Sequence, residues 1–303
     1  MNKLSASRLS AVSNGALSAA KIIIGLITGS VAVLSDGIHS FTDVTASVST
    51  AVSVKKASMP ADTIHKFGHG KFENVSGVFE SILLIATSVI IVAEAFDRVV
   101  AGEHIVFLGI AIITMIISAA VDFAVSIPVR RASRREESIA LKVDNAHLTT
   151  DGLASVGVVL ALIAVYLTGN VLFDIIVAFI IAAVMSYSGI SLLLESGGPL
   201  VDVKISDADE QTVIGILSEH KEICRFHSLR TRKSGNIRFI DLHLTFKPNT
   251  TVYEAHSVVD AIETRLRERI PNCSALIHIE PEGVECADSI GDDTLNRRKG
   301  PNS

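Results

Sequence analysis

The sequence predicts a membrane all-α bundle of six transmembrane helices followed by a small C-terminal α/β domain in water, and three observations lead there. Of 303 residues, 49% are hydrophobic and only 19% charged, with a mean hydropathy of +0.46, which is too apolar for an ordinary soluble domain. The charge is unevenly spread: residues 1 to about 200 hold long apolar runs, whereas 202 to 303 carry charge at ordinary soluble density. Finally, the apolar part breaks into six runs, each near the roughly 20 residues that a spanning helix needs.

Those runs cover about 9–28, 31–54, 75–100, 105–128, 140–167 and 172–194. An even number places both termini on one side. Lys3 and Arg8 precede the first run; Lys55, Lys56, Lys66 and Lys71 lie in the connection 55–74; Arg130, Arg131, Arg134 and Arg135 gather near 130. The opposite connections, near 28–30, 101–104 and 168–170, contain no Lys or Arg. Because basic connections stay cytoplasmic, both termini are expected inside. The first run lacks a small-residue cleavage site and is followed by further runs, so it does not read as a signal peptide.

Beyond residue 206 the pattern changes to a helix near Asp207–His220, a strand near Phe226–Thr231 and a turn at Ser234-Gly235-Asn236. A strand near Arg238–Phe246, a helix at Tyr253–Ile270 and a strand near Ala275–Ile279 follow. The domains expected are 1–201 in lipid, 202–283 in water, and a polar, disordered tail, 284–303. Cys224, Cys273 and Cys286 form no C-x-x-C pair and are odd in number, so neither a disulfide framework nor a thiolate zinc site is indicated. A net charge of -5 offers no basic surface for nucleic acid, and that class is excluded.

The chemistry is concentrated in two matching stretches. Asp36-Gly37-Ile38-His39-Ser40-Phe41-Thr42-Asp43 in the second run and Asp144-Asn145-Ala146-His147-Leu148-Thr149-Thr150-Asp151 in the fifth both read D-x-x-H-x-x-x-D. Positions four apart share a helix face. Thus His39 with Asp43, and His147 with Asp151, make two halves of one site. An ionisable residue at membrane depth costs about 2.5–3.5 kcal/mol and is rarely kept without a partner. Two imidazoles and two carboxylates suit tetrahedral Zn2+, with Cd2+, Co2+, Fe2+ or Mn2+ as other divalent candidates. A polar helix-packing seam explains one half alone, but repetition at identical spacing argues against it. Asp36 and Asp144, three residues before each His, read as residues that orient the ligands or simply cap the cytoplasmic or external approach, rather than as ligands.

Two further groups are candidates. Asp62, His65 and His69 fall in the short connection after the second run, where a surface metal site competes with a plain glycine-containing turn. His227, His243, His256 and His278 with Glu280 lie in the soluble part, against the alternative that each is merely solvated or satisfied. A metallohydrolase reading is disfavoured, because four protein ligands leave no open position for water and no separate base is in sight. A membrane-tethered metal sensor without transport is the remaining rival.

With these residues in view, the chain resembles the cation diffusion facilitator family of zinc and divalent-metal transporters. The resemblance runs from Gly25-Leu26-Ile27-Thr28-Gly29-Ser30 through the His39 and Asp43 stretch, Phe67-Gly68-His69-Gly70-Lys71, and His147 with Asp151. It continues through Leu229-Arg230-Thr231-Arg232 with Ser234-Gly235, the His243 strand, and His278-Ile279-Glu280-Pro281. It implies a homodimer with a ferredoxin-like, metallochaperone-like cytoplasmic domain, exporting divalent cations against protons from a bacterial inner membrane. It also implies a transport site at His39, Asp43, His147 and Asp151, a loop site at Asp62, His65 and His69, and a binuclear site at His227, His243, His256, His278 and Glu280. Lys71 and Asp202 take the places of a structural salt bridge at the dimer interface. Two departures stand out: family members with well-described sites often have a carboxylate at the place of His39 and Asp at the place of Glu280.

Overall fold

The computed structural model describes residues 1–28, 31–101, 108–168 and 172–283. The tail expected to be disordered, residues 29–30, 102–107 and 169–171 in the connections without Lys or Arg, and the side chains of Asp36 and His39 lie outside the described residues. The chain divides into two compact units, Met1–Gly197 and Gly198–Ser303.

The first unit is helical: α1 (Lys3–Thr28), α2 (Val31–Ala57), α3 (Lys71–Ala101), α4 (Leu108–Glu136), α5 (Ile139–Thr168) and α6 (Leu172–Gly197). Several helices run past their apolar stretches at the basic ends, since exposed Lys and Arg are good helix formers. Among the described residues, four segments are long and apolar enough to cross a membrane: Lys71–Ala93, Ile112–Glu136, Ile139–Val165 and Ile175–Val201. On α1 a stripe of buried polar side chains, Ser7, Ser10, Asn14, Ser18 and Lys21, recurs every three or four residues and lowers its hydropathy. The most extensive packing joins α1 to α2, α4 to α5, and α3 to α6. In the α3–α6 pair small residues allow close approach: a Cβ on Gly77 would lie 2.5 Å from Ser196 Oγ, and one on Gly189 2.7 Å from Ile85.

A polar clamp closes one end of this unit. Glu73 on α3, only 3% exposed, accepts from Lys3 Nζ at 2.8 Å and from Ser138 Oγ at 2.5 Å. It thereby joins the start of α1, the start of α3 and the turn before α5.

The second unit begins with a 3₁₀ turn, Gly198–Val201, and continues α7 (Asp207–Glu219), β1 (Arg225–Ser234), β2 (Ile237–Phe246), α8 (Val252–Arg269) and β3 (Cys273–Pro281). The sheet order is β1-β2-β3, antiparallel then parallel. Among the described residues this gives α-β-β-α-β, one strand short of the full β-α-β-β-α-β arrangement. Both helices cover a single sheet face: Ile214, Leu217, Ile262 and Leu266 pack on Ile240, Leu242 and Leu244. α8 opens on a capping box, in which Thr251 Oγ1 accepts from Glu254 N and the Glu254 carboxylate accepts from Thr251 N. Thr251→Ala is expected to destabilise this unit by about 1 kcal/mol, read as faster amide exchange along α8 in the full-length protein; unchanged exchange would contradict it.

Candidate metal centre

The matched half-sites lie on α2 and α5, which bring their facing turns together inside the bundle. His147 is 3% exposed. Its Nε2 lies 3.0 Å from Asp43 Oδ1 and 3.4 Å from Asp151 Oδ2, and the three ligand atoms are all within 4.8 Å of one another. Donors about 2.0–2.1 Å from a tetrahedral ion are about 3.4 Å apart, so small side-chain adjustments bring these three onto one cation. His39 precedes Asp43 by one turn of α2. Ligation through His147 Nε2 leaves the proton on Nδ1, which is buried with no hydrogen-bond partner among the described residues.

Asp144, expected either to orient the ligands or to cap the approach, is buried one turn before His147. Its Oδ1 accepts from Ser10 Oγ at 2.9 Å and from Ser47 Oγ at 3.2 Å, while Asn14 Nδ2 donates to Ser47 Oγ at 2.6 Å. Asp144 therefore fixes α5 against α1 and α2 beside the candidate site. Sequence reasoning passed over Ser10, Asn14 and Ser47; the polar stripe of α1 was the signal that could have found the first two. Lys21 is buried and donates to Ser40 Oγ at 3.0 Å. Glu80 is also buried, beside Ser76 on its own helix.

The connection between α2 and α3 gathers Asp62, His65 and His69. Asp62 Oδ1 accepts from the backbone N–H groups of His65 and Ile64, at 2.5 and 2.8 Å, while Oδ2 lies 3.3 Å from His69 Nε2. Those backbone bonds, His65 first and Ile64 second, hold the Asp62 carboxyl below its ordinary range. It is thus ionised and ready as a ligand. Gly68, at φ 80°, supplies the left-handed turn that brings His69 back to Asp62. The three ligand atoms again fall within 4.8 Å of one another.

In the second unit, strand register aligns His227, His243 and His278 in one row across the sheet. This row occupies the face opposite α7 and α8, because Leu242 and Leu244, its neighbours on β2, point into the core. Glu280 lies beneath the row: Oε1 is 2.6 Å from His243 Nδ1 and 3.7 Å from His278 Nε2, and Oε2 is 3.3 Å from His227 Nε2. Partial burial lowers the His227 pKa from its ordinary 6.5, with Glu280 opposing the shift. The neutral imidazole, the form that binds metal, is therefore favoured. Since the unfolded chain binds more protons just below 6.5, this histidine makes the unit less stable as pH falls through that value and has no such effect well above it. A lower melting temperature of the unit at about pH 5.5 than at pH 7.5 is expected.

Not every candidate joins these groups. His256 stands exposed on α8 against Asp260, 3.1 Å away, and α8 covers the opposite sheet face, so within one chain it is separated from the histidine row. Lys71 opens α3 in the first unit. Asp202 follows the 3₁₀ turn of the second with φ 57°, 3.7 Å from Arg232 Nη1.

Comparison with known proteins agrees in both units. Residues 7–201 match the cation efflux transmembrane domain, and residues 205–282 the cation efflux protein cytoplasmic domain. An uncharacterized transporter of Synechocystis sp. is 32% identical over 256 residues, covering 84% of this chain and 83% of that protein. The cation-efflux pump FieF of Klebsiella pneumoniae is 28% identical over 264 residues, covering 87% and 88%. FieF of Yersinia enterocolitica is 30% identical over 257 residues, covering 85% of each. The apolar helices, the three groups of facing His and carboxylate side chains and these matches converge: the chain belongs to the cation diffusion facilitator family of membrane cation-efflux transporters.

Proposed function

We propose that this transporter exports Zn2+ across a bacterial inner membrane in exchange for protons, through His39, Asp43, His147 and Asp151. The observation that carries the reading is the convergence of Asp43 and Asp151, both half-buried, on the buried His147 from two helices. Metal binding requires neutral His and ionised Asp, so protons compete for the same atoms. With the site open inward, Zn2+ displaces protons; open outward, protonation weakens the ligands and the cation leaves. Movement of helix groups about the site supplies alternating access. An imidazole at position 39 favours zinc over a harder ion such as Mn2+. His39→Asp is expected to raise manganese flux relative to zinc, and an unchanged ratio would remove residue 39 from selectivity.

Around this site we place six spans within 1–201, both termini in the cytoplasm and a ferredoxin-related metal-binding module at 202–283. The protein works as a homodimer, tied at its interface by Lys71 and Asp202. Asp62, His65 and His69 form an accessory metal site. In the module, His227, His243, His278 and Glu280 bind regulatory zinc. His256, on the far sheet face, joins such a site only from a second copy. Zinc binding there draws the modules together and favours the transport-competent dimer, through differential affinity for two states.

The test is zinc flux into proteoliposomes under an imposed proton gradient, followed with internal zinc and pH dyes. Wild type is expected to move zinc with counter-flowing protons and Asp151→Ala to be silent, while His243→Ala retains partial flux. A reconstituted dimer that binds zinc yet moves none under any gradient is a sensor.

A further inference from the structure

The arginines at the end of α4 have no part in the metal sites, and their placement on that helix is specific. Ile113, Ile116, Ile117, Ala120, Ala124 and Ile127 are all exposed. At 100° per residue they fall on one arc of about a third of the helix circumference. The opposite arc, with Thr114, Ser118, Asp122, Val125 and Val129, is buried. In a membrane protein the first arc is a lipid-facing stripe. Continued along α4, that arc reaches Arg131, Arg134 and Arg135, with Arg130 at its edge, and all four are exposed. Arg135 lies 3.5 Å from Glu136 Oε1; the other three have no acidic partner among the described residues.

We propose that Arg131, Arg134 and Arg135 form a binding site for the headgroup of an anionic phospholipid whose acyl chains lie along the isoleucine stripe. Arg131 follows Ile127 by about 6 Å along the axis, and Arg135 by about 12 Å, which is the depth at which headgroup phosphates succeed hydrocarbon. Arg131 and Arg135 sit one turn apart with Arg134 alongside, so several guanidinium groups reach one phosphodiester, each with paired N–H donors. Aliphatic contact with the stripe and charge at its end together select a lipid over a free phosphate ion. By contrast, α2 ends on Lys55 and Lys56, and Lys56 lies over the Phe72 ring.

The test is native mass spectrometry of the full-length protein with added phosphatidylglycerol or phosphatidylcholine, with inorganic phosphate as a competitor. Wild type is expected to retain phosphatidylglycerol selectively and to resist competition. The Arg131→Gln/Arg134→Gln/Arg135→Gln variant is expected to lose about fivefold per arginine, on the order of a hundredfold for the three. Should that variant misinsert, the corresponding triple Lys variant preserves charge and topology and is expected to bind several-fold more weakly than wild type. Equal retention by wild type and the Lys variant would mean diffuse attraction to a basic surface and overturn the site. So would equal retention of the two lipids, full displacement by phosphate, or a face covered by a second copy of the chain.

Discussion

His147→Ala is expected to reduce proton-driven zinc flux by a hundredfold or more, about the upper end of what loss of a supporting residue costs a metal site. The size follows from its position: His147 Nε2 lies between Asp43 and Asp151, and no other described side chain supplies nitrogen there. Without it, the proposed quartet retains only the His39 imidazole beside two facing carboxylates, whose mutual repulsion favours protonation over zinc. His147→Asp is expected to keep a measurable fraction of flux and to shift preference toward Mn2+, since a site of three carboxylates and one imidazole is richer in the oxygen donors that suit a harder ion. Flux of His147→Ala within threefold of wild type, at the same reconstituted amount, would remove this residue from the transport site.

Glu73→Ala is expected to carry the largest stability cost, about 3 kcal/mol, the low end for removing one partner of a buried ion pair. The cost falls at the low end because Lys3 retains 17% side-chain exposure and can recover some hydration. Ser138, by contrast, is buried and loses its carboxylate acceptor. Glu73→Gln keeps an acceptor oxygen and should recover a substantial part of the loss. Thermal unfolding of the full-length protein in detergent measures both, and an alanine variant that melts with wild type would show the clamp to be incidental.

Much of the architecture was legible because hydropathy and charge report directly on solvent. The helices begin and end close to the apolar runs, extended mainly by the lysines and arginines beyond them. The soluble unit's helix and strand order followed from turn residues at Ser234-Gly235-Asn236 and from alternation through Ile237–Phe246. The pairing of candidate ligands was visible because a helix places residues four apart on one face, and their repetition marked the two stretches as related. The loop group was harder to assess, since Asp62, His65 and His69 resemble ordinary turn residues until Gly68 folds the chain back.

The sequence by itself determined which segments avoid water, where basic charge gathers and which residue types recur at ligand spacing, because these are local properties of composition and period. Only tertiary structure decided which of those residues meet. It set α2 against α5 so that Asp43 reaches His147, buried Asp144 under hydroxyls from α1 and α2, and aligned His227, His243 and His278 over Glu280 through strand register. It also separated His256 from that row by a whole sheet, although the two lie close in sequence. Such meetings depend on helix rotation and strand register, which are fixed by packing across the whole unit.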